Sequence, residues 1–550
     1  MFWKDRYIYF LMFIVFCVFA YMNYRFLDIQ FLGATGGDEL PQFHQWLNMY
    51  EGFKHFNIEK IFRFEFYNYG FVWYLLNLVV IAPFHLMHNT EMAIYMPRLL
   101  NGFFSVLCLW MVYKICRLYL SALYAYGVVL LIILMSGFWA MGYMVKPDVL
   151  QAFFILWSVF LLALDKFRFG KMYYGAIFVF GLAVGAAKFQ AVMFFPVLYA
   201  YIFIPYLRDK TTFSFKKMLL HCVGVSVATM FLWLVLNPYL FHPRGMRAWW
   251  DMFVFNMESN ATNHGSYIHV SLRDKIFNVI DFYYFEIIVF VILLCICFAL
   301  LWWFFSKKSH QDGAKIYKWD FFVVLNVGFL ISLFYLLFAV NKAWSIYYLS
   351  TIYLGVLLFI PMLTSLKYFQ YILIPLLVLQ IFGGMGVNQG YEVVFKKYDK
   401  DLSGLYAQSA ELVKILEPIV KKSDLQKQKI EILSDLPSFE YKKLGLRSTN
   451  IHQIFAQLTP DMFSSEIFLQ KSNSKNLAYF ISPDLIILSK NKWHFFKNPS
   501  DLKDKNALES LKTIEALNRG EYGYQKVAES KNFIIYAKSL KKVSNIQKEK

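Results

Sequence analysis

The sequence predicts an α-helical polytopic membrane protein with about eleven transmembrane helices plus outer juxtamembrane helices. A C-terminal exported α/β domain follows. Three observations carry that reading. The 550 residues are 58% hydrophobic and 20% aromatic, whereas soluble domains are roughly 45–50% apolar. The excess lies in long runs before about residue 390, and the rest reads as ordinary soluble sequence, so two units are expected, 1–390 and 391–550. The formal net charge is +18. Before residue 390 the basic residues gather in short loops between apolar runs, a positive-inside signature rather than a nucleic-acid surface.

Each span follows from length, since about 20 mainly apolar residues are needed to cross. Lys4 and Arg6 precede a run of about that length without a small-residue cleavage site, which reads as a retained first span at 7–27. Further spans are expected at 97–118, 121–142, 149–165, 171–187, 190–207, 218–237, 281–306, 320–341, 345–363 and 369–388. The apolar stretch 69–87 is interrupted by Pro83 and His85. If it does not cross, Lys4, Arg6, Lys114, Arg117, the 166–171 and 208–217 clusters, the 307–318 lysines and Lys367 all fall on one side. That solution puts the N-terminus in the cytoplasm. The opposite side then receives 28–96, 238–280, the turns 143–148, 188–189 and 342–344, and the C-terminal domain. A bacterial inner membrane is the expected location.

In the outer segment 238–280, Arg244, Arg247, Trp249, Trp250, Phe253 and Phe255 predict a helix lying at the membrane surface. Beyond 391, residues 411–420 read as a helix. Residues 429–434, 484–489 and 532–537 read as short strands. All 6 cysteines fall in or at the ends of apolar segments, so no disulfide framework is implied. No Walker A loop, dinucleotide fingerprint or nucleophile elbow is present, which argues against an ATP-driven pump.

Charged groups beside spans are costly unless they work or reach water. Here they gather on the outer side. Asp38 and Glu39 follow the first span in Gly36-Gly37-Asp38-Glu39. Asp38 also suits a helix N-cap with Pro41 in the first turn, but a cap does not account for two adjacent carboxylates. Lys146-Pro147-Asp148 forms one outer turn, Lys188 closes Gly185-Ala-Ala at a second, and Lys342 occupies a third, ahead of Tyr347-Tyr348. Each alone would pass as a snorkelling side chain; together they set acids and bases on one face. His264 sits in the other large outer loop, where solvation alone would account for it.

This combination suits glycosyl transfer from a lipid-phosphate sugar. A phosphate leaving group needs cations against its developing charge. The acceptor hydroxyl needs a carboxylate base within hydrogen-bond reach. A lipid-bound donor also needs no nucleotide-binding fold. The rival class, a transporter or flippase of a lipid-linked glycan, predicts repeated halves and charges near the midplane, and the sequence has neither.

The same segments resemble the GT-C superfamily of membrane glycosyltransferases, in particular the protein O-mannosyltransferases and lipid A aminoarabinose transferases (glycosyltransferase family 39). Asp38-Glu39 resembles the family's acidic pair after the first span, with Phe43 displaced by one position from the family's aromatic residue. Glu65-Phe-Tyr67-Asn-Tyr69-Gly70 resembles the approach to its juxtamembrane helix, and Pro97-Arg98 the arginine opening its second span. Val145-Lys-Pro-Asp148 is similar to its outer-turn aspartate. Gly181-Leu-Ala-Val-Gly185-Ala-Ala-Lys188 is similar to its glycine-rich helix ending in lysine, and Asn341-Lys342 to its late basic residue. The resemblance covers about residues 1–390 and implies inverting transfer from a polyprenyl-phosphate sugar. It implies Asp38 as base with Glu39 beside it, and Lys188, Arg98 and Lys342 on the donor phosphate. Asp148, Glu65 and His264 would line the cavity. Some relatives hold a divalent metal, but no residues here have the ligand spacing to demand one. The expected partners are membrane lipid and a glycan, lipid or protein acceptor, with no nucleic acid.

Overall fold

The computed structural model describes residues 2–24, 39–62, 69–87, 89–262, 270–284, 286–306, 319–342, 344–365 and 369–386, then 405–422, 429–434, 439, 441–445, 448–453, 458, 483–490 and 505–538. The chain divides into two compact units, Met1–Arg25 with His44–Lys397 and Phe26–Phe43 with Tyr398–Lys550.

The helices run in the order α1 (Phe2–Tyr24), α2 (Glu39–Lys54), α3 (Ile58–Phe62), α4 (Phe71–Leu86), α5 (Thr90–Arg117), α6 (Ala122–Ile133), α7 (Ser136–Tyr143), α8 (Asp148–Asp165) and α9 (Lys171–Leu182). Then come α10 (Phe195–Arg208), α11 (Phe215–Leu236), α12 (Pro243–Thr262), α13 (Leu272–Val279), α14 (Ile287–Ser306), α15 (Asp320–Phe334), α16 (Leu349–Leu357), α17 (Phe359–Ser365) and α18 (Leu373–Gly386). Among the described residues three π turns interrupt the regular helix, at Ala183–Ala187, Ile280–Tyr284 and Tyr335–Ala339.

Among the described residues eight helical stretches are long and apolar enough to cross a membrane. They are Asp5–Tyr24, Met92–Arg117, Asp148–Asp165, Phe189–Arg208, Phe215–Leu236, Ile287–Ser306, Asp320–Ala339 and Ser345–Thr364. Ser345–Thr364 is 89% buried and central, whereas Phe215–Leu236 is 17% buried and peripheral.

Where the sequence predicts one span at 121–142, the chain is bent by 68° between α6 and α7. The cause is tertiary. At Gly137 a Cβ would lie 2.4 Å from the Tyr283 ring, and the Ser136 hydroxyl donates to the Phe282 carbonyl at 2.8 Å. Straightening would pull α7 off the Ile280–Tyr284 turn. The expected span 171–187 is a 17-residue stretch, α9 closing in the first π turn. The expected span 369–388 is a 3-10 turn followed by the 14-residue α18.

Among the described residues the second unit holds a five-stranded mixed sheet of β1 (Lys429–Ser434), β2 (Ser448–Gln453), β3 (Leu485–Ser489), β4 (Tyr524–Glu529) and β5 (Phe533–Lys538), in the order β2-β1-β3-β5-β4. β1 runs parallel to β2 and β3, and β5 runs antiparallel to β3 and β4. Alternating side chains build two cores, as the strand period requires. Ile430, Ile432, Leu485 and Ile487 meet Leu412 and Leu416 of the helix Leu405–Lys422 on one face. Leu433, Ile486, Leu488 and Tyr536 meet Leu517 of the helix Lys505–Asn518 on the other.

Candidate functional site

One end of the helical unit collects three of the sequence-predicted charges. α8 opens at Asp148, with Pro147 as its N-cap. A carboxylate is favoured there by the helix dipole. The Asp148 Oδ1 accepts from the Lys188 ammonium at 2.7 Å, and both side chains are almost wholly buried. The Lys188 ammonium also lies 5.6 Å from the Tyr69 ring centre and 5.2 Å from that of Tyr347. Rings at that range attract a cation through their faces.

Backbone geometry aims Lys188 into this position. The π turn Ala183–Ala187 ends α9, and Lys188 itself is extended (φ −153°, ψ 127°). It pairs with Tyr69 as an isolated β-bridge, and the Gly70 N–H donates to the Ala187 carbonyl at 2.8 Å. Only glycine permits that approach, since a Cβ on Gly70 would sit 2.4 Å from the Gly185 oxygen. Single π turns recur at working sites because they displace a side chain from the helical register.

Lys342 follows the third π turn and is 2% exposed. Its ammonium donates to the Ser259 hydroxyl at 2.8 Å and lies 5.0 Å from the Trp344 ring centre. Burial and, behind it, the charge of Lys188 push its pKa down to about 8. Its turn is held from α12 and α13. The Asn341 N–H donates to the Asn260 carbonyl at 2.7 Å, and Asn341 Oδ1 accepts from the Val270 N–H at 2.9 Å. The Lys275 ammonium donates to the carbonyls of Leu337 and Val340, and burial lowers its pKa.

Arg98 is fully buried on α5. One turn further, the Asn101 amide donates to the Met141 carbonyl at 2.7 Å, close to the turn that precedes Asp148. Asp38, Glu65 and His264 lie outside the described residues, and Glu39 is described only as the first residue of α2. Among the described residues no group of three or more His, Cys, Asp or Glu side chains is placed to hold a metal ion.

The expected outer helix over 238–280 is present as α12. It turns Trp249 and Phe253 onto Phe189, the residue after Lys188, at 5.1 and 6.3 Å between ring centres. Trp250, Phe255 and Met257 remain exposed, as suits a helix lying in a membrane surface.

Ser259, Lys275 and Asn237 took no part in the sequence reading of the site. Ser259 and Asn237 are neutral polar residues of a kind found in every loop. Lys275 stands among the basic residues Arg244, Arg247 and Arg273 of the same outer segment, and nothing in its spacing sets it apart.

The site can therefore offer two ammonium groups to an anion, with one of the two already matched by Asp148.

The model of the dolichyl-phosphate-mannose-protein mannosyltransferase family matches residues 74–235. That stretch includes Arg98, Asp148 and Lys188. Among solved structures the chain is similar to ArnT from Cupriavidus metallidurans bound to undecaprenyl phosphate. The TM-score is 0.51 at 11% identity, over 96% of this chain and 98% of that one. The membrane unit has the GT-C glycosyltransferase fold. Similarity extends to the same ArnT in its apo state (TM-score 0.47, 11% identity, 90% and 93% covered). It extends also to the Archaeoglobus fulgidus oligosaccharyltransferase in complex with Zn and sulfate (TM-score 0.42, 11% identity, 95% and 73% covered). No curated protein matches the sequence. In this GT-C unit the order of elements around Asp148 and Lys188 is the order in which the sequence presents its outer turns.

Proposed function

We propose that the protein transfers a sugar from a polyprenyl-phosphate-linked donor to an acceptor hydroxyl at the outer face of a bacterial inner membrane, with inversion at the sugar. The observation that carries this is the convergence of Lys188 and Lys342 at one end of a GT-C unit, each ammonium buried and flanked by aromatic rings. A similar fold has been solved with undecaprenyl phosphate bound.

In this reading the acceptor oxygen attacks the anomeric carbon while the bond from that carbon to the phosphate oxygen breaks. The polyprenyl phosphate leaves with the bonding pair. Lys188 and Lys342 hold the phosphate and stabilise that charge, with Arg98 as a third cation at the same end. Asp148 accepts a hydrogen bond from Lys188 and fixes its direction. The carboxylate of Asp38, with Glu39 beside it, takes the proton of the acceptor hydroxyl as the new bond forms. Glu65 and His264 complete the polar lining. The exported unit, residues 391–550, faces the side on which the acceptor arrives, and the N-terminus is cytoplasmic.

The test is transfer of labelled sugar from a polyprenyl-phosphate donor by the purified full-length protein in detergent. Asp38→Asn is expected to lower kcat by about 10²–10⁴-fold, the range of a lost general base, with the melting temperature unchanged. Full transfer by Asp38→Asn would remove Asp38 as base. Flux of a lipid-linked glycan into proteoliposomes with no covalent product would point to a transporter instead.

A further inference from the structure

Asn237 caps α11 and is 6% exposed. Its amide nitrogen donates to the Gly185 carbonyl at 2.9 Å and to the Trp233 carbonyl at 2.8 Å. Its Oδ1 accepts from the Phe71 N–H at 2.9 Å. Both amide hydrogens and the oxygen are therefore engaged, the full donor set of an asparagine. One side chain ties together three elements: the end of α11, the π turn Ala183–Ala187 and the first turn of α4.

All three ties matter for the same reason. A helix end leaves carbonyls and N–H groups without partners. The Gly185 carbonyl belongs to the π turn that ends α9, and the Phe71 N–H opens α4. Asn237 satisfies both at once, and so fixes the separation between the two chains. Along that seam the Gly70 N–H meets the Ala187 carbonyl, and Tyr69 pairs with Lys188. The bond from Asp148 holds only the tip of Lys188; the position of its backbone is set at this seam.

We propose that Asn237 is a positioning residue for the anion site, acting through the Gly185–Lys188 turn and the Tyr69–Phe71 segment without touching the substrate. The inference rests on the reading of Lys188 as a phosphate ligand. Aspartate cannot replace asparagine here. It keeps the acceptor for Phe71 but turns a carboxylate onto two carbonyl oxygens.

The experiment uses the full-length protein in detergent with undecaprenyl phosphate as the probe, and measures Kd and melting temperature together. Asn237→Asp and Asn237→Ala are expected to weaken binding about tenfold, comparable to losing one well-placed hydrogen bond. The milder Asn237→Ser, which keeps one donor, falls between them and wild type and serves where the others fail to fold. Asn326→Ala is the control. That asparagine is equally buried and its amide donates to the Cys297 carbonyl at 2.9 Å, between α15 and α14. It should lower the melting temperature and leave Kd alone. Wild-type Kd in the Asn237 variants overturns the inference, provided Lys188→Gln weakens binding. An equal loss of Kd in Asn326→Ala overturns it too, since general destabilisation would then suffice. If Lys188→Gln itself binds normally, the phosphate reading fails first and the role of Asn237 falls with it.

Discussion

Replacing Lys342 by arginine and by glutamine separates its charge from its titration. Burial and the neighbouring Lys188 bring its pKa from 10.5 to about 8. An amine with that pKa is about 90% protonated at pH 7 and about 10% at pH 9. If the ammonium holds the donor phosphate, kcat/KM is level below pH 8 and falls about tenfold per pH unit above it, because this ratio titrates the free enzyme. The kcat limb lies at higher pH, since a bound phosphate restores the proton. Arginine stays charged throughout this range, so Lys342→Arg should flatten the limb between pH 8 and 9.5. Lys342→Gln should lose roughly 10–100-fold in kcat/KM at pH 7, the value of a hydrogen bond to a charged group, and show no limb.

Stability runs the other way. A lysine whose pKa is lower in the folded than in the unfolded protein holds fewer protons when folded. Its contribution therefore grows as pH rises from about 8 to 10.5. The melting temperature of wild type should gain on that of Lys342→Gln across this window while wild-type kcat/KM is falling, which separates lost binding from unfolding. The assay is labelled-sugar transfer at limiting donor from pH 6.5 to 9.5, beside thermal melts in the same buffers. A wild-type profile that is flat through pH 9.5, or the same limb in Lys342→Arg, would refute the assignment.

Two further outcomes follow from the buried pairs. Asp148→Asn and Lys188→Gln each strand a buried partner, at a cost of about 3–5 kcal/mol. The double variant should regain much of that stability while donor KM stays raised, and simple additivity of the two losses in thermal melts would deny the coupling. At the opposite end of the unit, Arg208 meets Asp320 at 2.7 Å and lies 4.2 Å from the Phe304 ring centre. Arg208→Lys breaks that fork and should lower stability by about 1–3 kcal/mol with donor KM unchanged, and a raised KM there would end the division into a binding end and a structural end.

Much of the membrane unit was legible because charge is conspicuous in apolar sequence. Asp148, Lys188 and Lys342 stood out at the ends of runs that otherwise carry none, and the structure brings those three together. The apolar strands KIEILS, DLIILS and NFIIYA stood out in the second unit for the opposite reason, and β1, β3 and β5 occupy those places. What stayed hidden depends on partners distant in sequence. The bend at α6–α7 comes from Gly137 meeting Tyr283. β2, with the sequence STNIHQ, pairs with one neighbour at the sheet edge and needs little apolar surface. The π turns have no period that short windows reveal, since each is a single turn of 5 residues. Asn237 is the last residue of the expected span 218–237, and nothing in the sequence marks the two chains it joins.

The contacts within the helical unit bear on one topological question that charge alone left open, whether 69–87 crosses. Asp5 is paired with Arg117 at 2.8 Å, and Tyr119 stacks on Phe321, beside Asp320. These residues mark one end of the unit. α1 leaves that end and delivers Ala20 to the Tyr95 hydroxyl at 3.1 Å, near the start of α5. Phe19 there packs on Trp139, and α7 leads into the turn at Asp148. The start of α5 thus shares an end with Asp148 and Lys188. Gly70 is bonded to Ala187 at that same end. α4 therefore begins where α5 begins, and a helix that departs from and returns to one end has not crossed. Its Pro83 and His85 fit that path, since both interrupt an apolar face that would otherwise suit the bilayer core. Cysteines introduced at exposed Met87 and exposed Tyr7 should label from opposite sides of the membrane, and labelling from one side would mean that α4 crosses after all.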